Sequence, residues 1–122
     1  MKRVLIIDDH STVRQLAKWA LSETGYELHE ASNGEIGLRM ASDIRPDLIL
    51  LDVMMPGELD GYMVCEKLRA SGGHPNLKII LLSANDAPQD QERGQQAGAN
   101  AYLVKPFKPA VLRGLAGKLL EA

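Results

Sequence analysis

Three stretches of this chain are aliphatic at every position, and each ends on a residue able to do chemistry. Residues 4–7 (Val-Leu-Ile-Ile), 48–51 (Leu-Ile-Leu-Leu) and 79–82 (Ile-Ile-Leu-Leu) show no alternation of apolar with polar side chains. A strand with one wet face alternates. A short run that does not alternate reads as a strand covered on both faces, as in a parallel sheet sandwiched by helices. Two more strands, 26–31 and 101–104, are weaker and more polar, as edge strands are.

Helical patterns separate these strands. Ser11 stands where a cap belongs for a helix running to about residue 24, with Val13, Leu16, Ala17, Ala20 and Leu21 on one face and Gly25 as its stop. Asn33 opens a second helix, whose Ile36, Leu38, Met40, Ala41 and Ile44 form an apolar stripe ahead of Pro46. Asp60 opens a third, through Met63, Val64 and Leu68 to a stop at Gly72-Gly73. A fourth, from about Pro88 to Gly98, is almost wholly polar and is expected to be the least firmly docked. The fifth runs from Pro109 through Leu112, Leu115, Leu119 and Leu120.

Strands that alternate with helices need right-handed crossovers between parallel neighbours. The fold class predicted is α/β: a five-stranded, doubly wound parallel sheet in the flavodoxin-like order 2-1-3-4-5, with five helices. The 122 residues suit a single domain over 1–122, with no linker, repeat or low-complexity stretch. A net charge of −2 gives no electrostatic reason to expect nucleic acid or an anionic membrane as partner. The single Cys65 excludes an internal disulfide and a Cys-based zinc cluster, and suits a reducing compartment. The four-residue aliphatic runs fall far short of a membrane span, and Asp8-Asp9 breaks the first before it resembles a signal peptide. A cytoplasmic location is expected. The charge is nonetheless uneven: residues 1–61 hold 6 basic and 11 acidic side chains, residues 62–122 hold 8 and 5. The acid in the first half needs a cause.

Open parallel sheets bind ligands beyond the carboxyl ends of their strands, where strand order reverses. Asp8-Asp9 follow the first strand, Asp52 the third, Ser83 the fourth and Lys105-Pro106 the fifth. In the predicted order these share one crevice. Three carboxylates facing one ammonium repel one another, which leaves two outcomes: raised carboxylate pKa values or a bound divalent cation. An all-oxygen, partly hydrated site suits Mg²⁺. His10, His29 and His74 are scattered; His10 beside the acid pair is tempting as a ligand, but a lone histidine there is more often a loop residue. A hard cation beside a carboxylate, a hydroxyl and an ammonium would also receive a phosphoryl group, with the metal and Lys105 neutralising its oxygens and Ser83 donating a hydrogen bond.

Together, Asp8-Asp9, Asp52 within Asp-Val-Met-Met-Pro, Ser83-Ala84 and Lys105-Pro106-Phe107 resemble the receiver domain of two-component response regulators, CheY-like in type, over the whole chain. The resemblance implies that Asp52 takes a phosphoryl group from the phosphohistidine of a histidine kinase or phosphotransfer protein. It implies that Asp9, Asp52 and the Met54 backbone carbonyl bind Mg²⁺, with Asp8 acting through a water. Lys105 would pair with the phosphoryl group and Ser83 would grip it after transfer. Tyr102 stands at the family's switch aromatic, and Lys105-Pro106 resembles its cis peptide. The surface of the fourth helix, fifth strand and fifth helix would then switch to control a partner or output domain. The implied chemistry is self-catalysed phosphoryl transfer and autodephosphorylation, with no enzyme activity on other molecules. No output domain is expected within 1–122, whether the receiver stands alone or is cut from a longer chain. The expected partners exclude nucleic acid and membrane, and the expected assembly is a monomer or a weak, phosphorylation-dependent dimer.

The chain departs from the family in places. Met55-Pro56 and Asp60-Gly61 enclose three residues, 57–59, where the family has two, and serine replaces the commoner threonine at 83. Two other classes compete. A haloacid dehalogenase-type phosphohydrolase also uses an aspartyl nucleophile after a strand, but needs a second Asp where this chain has Met54, and a cap domain. A flavodoxin-like nucleotide or flavin carrier needs a phosphate-binding loop where this chain has an acidic pair. Elsewhere, Cys65, Met40, Met54, Met55 and Met63 read as packing residues, Trp19 as packed or partly exposed on the first helix, and Lys108, Arg113 and Lys118 as a solvated basic face.

Overall fold

In the computed structural model, which describes residues 1–71 and 75–121, the three aliphatic runs are the central strands of one parallel sheet. Strands and helices alternate: β1 (Arg3–Ile7), α1 (Ser11–Ala20), β2 (Glu27–Ala31), α2 (Gly34–Ile44), β3 (Leu48–Asp52), α3 (Gly61–Ala70), β4 (Lys78–Ser83), α4 (Pro88–Ala97), β5 (Ala101–Val104) and α5 (Pro109–Glu121). The strand order is β2-β1-β3-β4-β5, as the sequence predicts.

The lack of alternation has a direct cause. Val4, Ile6, Leu48, Leu50, Ile80 and Leu82 belong to one core layer, with Ala17, Ala20 and Leu21 near α1 and Leu112, Ala116 and Leu120 of α5. Leu5, Ile7, Ile49, Leu51, Ile79 and Leu81 belong to the other, with Ala41 of α2, Val64 and Cys65 of α3 and Ala97 of α4. All twelve strand residues are 0% exposed. Burying each such side chain contributes about 2 kcal/mol, so a polar residue at any of these positions would be costly. β2 and β5 are half-buried, as edges are.

Several local expectations need correction. His10, not Ser11, is the N-cap of α1, and its side chain makes no capping bond. The helix ends at Ala20 rather than near residue 24, and β2 starts at Glu27 rather than at residue 26. Asn33 and Asp60 do cap, accepting from the Ile36 and Met63 amides. Of the apolar stripe of α2, Ala41 is buried and Leu38, Met40 and Ile44 pack partly buried against the core, but Ile36 is 37% exposed, and Gly34 and Gly37 are buried. A Cβ on Gly37 would stand 2.5 Å from Ile7 Cδ1, so only glycine lets this helix lie so close to β1. Met54 and Met63 are exposed rather than packed, and Trp19 is 63% exposed. Arg113 is no plain solvated base, because its Nε donates to the Ala20 carbonyl at the end of α1. The expected stop at Gly72-Gly73, and His74, lie outside the described residues; α3 ends at Ala70 with Ser71 as its C-cap. Only Gly94 and Ala97 of α4 are buried, in keeping with its polar sequence.

Strand register sets the upper edge of the sheet. Ile7 pairs with Leu51, so Asp8 and Asp52 come level one step later. Asp52 pairs with Leu82, Leu82 with Leu103 and Ser83 with Val104, which puts Ser83 one position and Lys105 two positions past the acids on the next two strands. The chain after Asp52 returns by a loop that turns at Gly57, φ +99°. It closes at Gly61, whose amide donates to the Val53 carbonyl at 2.9 Å. A Cβ there would sit 2.3 Å from the Asp52 carbonyl oxygen, which bars any other residue.

Candidate functional site

The level ends of β1 and β3 bring Asp8, Asp9 and Asp52 into one pocket, which Lys105 enters from beyond the end of β5. Asp8 is 0% and Asp52 2% exposed. Lys105 Nζ donates to Asp8 Oδ2 at 2.9 Å and to Asp52 Oδ1 at 3.0 Å, so one ammonium is shared by two carboxylates. The Lys105-Pro106 peptide is cis. Asp8 Oδ1 accepts from the His10 amide at 2.8 Å, and Asp52 Oδ1 from the Met54 amide at 3.3 Å.

Negative charge is in excess here. Burial, then the Asp8 charge, push the Asp52 carboxyl up to about 6, against the pull of Lys105. Burial works against the Lys105 ammonium too, but its hydrogen bonds to Asp8 and Asp52 outweigh that and hold it above its ordinary value. Two buried oxygens, Asp9 Oδ1 and Asp52 Oδ2, have no hydrogen-bond partner. Orphaned carboxylate oxygens of this kind are what a hard divalent cation satisfies. Asp8, Asp9, His10 and Asp52 each place one ligand atom within 4.8 Å of all the others, so the residues present fit a metal ion.

Ser83 and Tyr102 lie beside the pocket and are joined through one residue. Ser83 is 1% exposed, and its Oγ accepts from the Asn85 amide at 3.0 Å. The Tyr102 hydroxyl donates to the Asn85 carbonyl at 3.0 Å. Neither is bonded to an acid. Three contributors, Arg14, Asn85 and Tyr62, escape the sequence reading, and a fourth, His10, reads there as a loop residue. His10 turns its Nδ1 to 3.3 Å from both Asp8 and Asp9. Arg14 donates through Nη1 to the Asp8 carbonyl and through Nε to Glu30. Asn85 joins the serine to the tyrosine. Tyr62 is 4% exposed, with Arg93 of α4 4.2 Å over its ring and its hydroxyl donating to the Asp90 carbonyl. Of these only His10, adjacent to the acid pair, carries a signal visible in sequence.

The response regulator receiver domain family matches residues 4–116. The chain is 40% identical over 108 residues to the alkaline phosphatase synthesis transcriptional regulatory protein PhoP of Bacillus subtilis, covering 88% of this chain and 44% of that protein. It is 38% identical over 107 residues to the DNA-binding dual master transcriptional regulator RpaA of Synechocystis, covering 88% and 44%. The chain thus spans about half the length of the curated relatives it matches. Chemotaxis protein CheY4 of Vibrio cholerae superposes with a TM-score of 0.90 at 31% identity over 98% of both chains. The BeF3-activated DrrB receiver domain superposes with a TM-score of 0.89 at 25% identity, over 100% of this chain and 99% of that one. No helix among the described residues is long and apolar enough to cross a membrane. Matched along most of its length and superposable end to end on a chemotaxis regulator, this chain belongs to the receiver-domain family of two-component response regulators.

Proposed function

We propose that the chain accepts a phosphoryl group on Asp52 from the phosphohistidine of a histidine kinase or phosphotransfer protein. The observation that carries this reading is the state of Asp52. It is buried, with Oδ1 held by Lys105 and the Met54 amide and Oδ2 free of any hydrogen bond. In the transfer, a carboxylate oxygen of Asp52 bonds to phosphorus as the P–N bond to the donor imidazole breaks, and the electron pair leaves on the imidazole nitrogen. Such a reaction needs positioning and charge stabilisation more than covalent help. Lys105, already 3.0 Å from Asp52, holds positive charge beside the transferred group. Asp9, Asp52 and the Met54 carbonyl, with Asp8 through a water, would hold Mg²⁺, which when bound would supply neutralisation of the phosphoryl oxygens. Hydrolysis of the acyl phosphate by water restores Asp52, so the chain resets itself without turning over another substrate.

The charge change reaches the surface through Asn85. When the Ser83 hydroxyl turns to donate to a phosphoryl oxygen, it gives up the geometry in which it accepts from the Asn85 amide. The same residue's carbonyl holds Tyr102, whose ring lies under Gly94 of α4. Loss of one bond thus loosens the next, and the surface of α4, β5 and α5 is re-formed. We assign no nucleic-acid contact to these residues.

The test is mass spectrometry after incubation with acetyl phosphate and Mg²⁺. The wild type should gain one phosphoryl group and Asp52→Asn none. A modification of equal yield in the Asn variant would move the acceptor elsewhere.

A further inference from the structure

We infer that His10 is a nitrogen ligand of the cation site, so that this pocket takes imidazole-accepting divalent ions such as Co²⁺ with a preference over Mg²⁺ that Asp8, Asp9 and Asp52 alone would not give. The inference rests on the reading of the acidic pocket as a cation site. His10 occupies the N-cap of α1 in extended conformation, where a side chain ordinarily bonds to the helix amides, yet its side chain makes no capping bond. Its Nδ1 instead lies 3.3 Å from Asp8 Oδ1 and 3.3 Å from Asp9 Oδ1. Asp9 Oδ1 is one of the two buried oxygens with no hydrogen bond, and Asp52 Oδ2 is the other.

The four residues converge closely enough for one ion. Their ligand atoms lie within 4.8 Å of one another. Atoms on opposite sides of an ion bonded at about 2.1–2.4 Å stand ~4.2–4.8 Å apart. In the Nε2–H tautomer of this side chain, 61% exposed, the Nδ1 that contacts Asp8 Oδ1 at 3.3 Å would turn its lone pair to the metal in place of that contact. Mg²⁺ prefers oxygen and retained water, whereas imidazole suits the later first-row dications. Arg14 and Lys18, the nearest bases on α1, pair with Glu30, and Arg14 also with the Asp8 backbone, so among the described residues His10 and Lys105 are the basic side chains in contact with the acid carboxylates.

The experiment is calorimetric titration of the whole chain with Mg²⁺ and with Co²⁺, in the wild type, His10→Gln and Asp9→Asn. The visible d–d spectrum of bound Co²⁺ is followed alongside. The expected result is that His10→Gln loses at least ~10-fold in Co²⁺ affinity and shifts the d–d band, with Mg²⁺ changed less than ~2-fold. A histidine that only pairs with the acids would be displaced by either ion alike. Equal changes for both ions, or none, would therefore overturn the inference and leave the cation site standing. Co²⁺ affinity unchanged in Asp9→Asn would put the ion outside the acidic pocket, which also overturns it. Failure of both ions to bind the wild type would remove the cation site itself.

Discussion

Replacing Asp52 by asparagine asks whether the metal-free pocket carries charge that Lys105 does not offset. Asp52 is 2% exposed, and its carboxyl is pushed from 3.8 to about 6 by burial and by Asp8. Each unit is about 1.4 kcal/mol, so about two units mean that ionised Asp52 costs the fold ~3 kcal/mol relative to the unfolded chain. The folded state holds this proton more tightly than the unfolded state. Its stabilising effect is therefore fully present below about 3.8 and is lost as pH rises through about 6.

The asparagine variant keeps the shape of the side chain and leaves a carbonyl for Lys105, while removing the charge. In EDTA near pH 8 it should be more stable than the wild type by ~2–3 kcal/mol, or ~10 °C in Tm for a domain of this size. The gain should fade as pH falls through about 6 and vanish below about 3.8, where Asp52 is protonated in both states. Saturating Mg²⁺ should stabilise the wild type more than the variant. Urea unfolding followed by far-ultraviolet circular dichroism is the suitable assay, since Trp19 is 63% exposed and its fluorescence responds weakly to unfolding. A variant no more stable than the wild type near pH 8, or one with the same advantage at both pH values, would refute the reasoning.

Four further outcomes are expected. Lys105→Met leaves Asp8 and Asp52 buried without their shared ammonium, and should cost ~3 kcal/mol or more in EDTA near pH 8, measured by the same unfolding curves, with a smaller loss on acidification. The Cys65 thiol is 0% exposed, pushed up to about 11 by burial, and donates to the Ala97 carbonyl; a thiol reagent should label it only where denaturant unfolds the chain, and fast native labelling would contradict its placement. Hydrogen bonds from Lys18 and Arg14 hold Glu30 below its ordinary 4.5, a contribution present above that value and lost as pH falls through the lower folded one. Glu30→Gln should thus cost less than ~1 kcal/mol near neutrality, after solvent screening, and nothing in acid. Tyr62→Phe removes the bond to the Asp90 carbonyl and should speed amide exchange in α4 while changing global stability by only ~1 kcal/mol, read by native-state hydrogen exchange.

The fold was legible because burial on two faces leaves no freedom for polar residues, so runs such as Leu48 to Leu51 announce a covered parallel strand. The pocket was legible for a related reason. In a parallel sheet the ends of adjacent strands come level, which brings Asp8 and Asp52 together, and the long side chain of Lys105 reaches them from beyond the end of β5. Features set by the approach of one element to another were hidden. Periodicity places Ile36 in the inward stripe of α2 with Leu38, Met40, Ala41 and Ile44, but the closeness of that helix to Ile7 makes Gly37 a buried residue and leaves Ile36 37% exposed. The pairing of Tyr62 with Arg93 across α3 and α4 has no local signature either.

His10 shows where the division falls. Its place in the chain beside two acids was visible, but whether its ring caps α1, points to solvent or joins the acids depends on one side-chain torsion. The early acid excess now divides by role. Glu27 and Glu30 are neutralised along the β2 edge by Arg3, Arg14 and Lys18, and Asp60 caps α3. Asp8, Asp9 and Asp52 are left with one lysine among them. A fold selected for stability alone would have no use for that arrangement, since neutral side chains of similar shape would hold the same sheet edge without repulsion. The instability stored there is what a cation or a phosphoryl group can relieve, which is why the same substitution, Asp52→Asn, is expected to strengthen the fold and abolish the function.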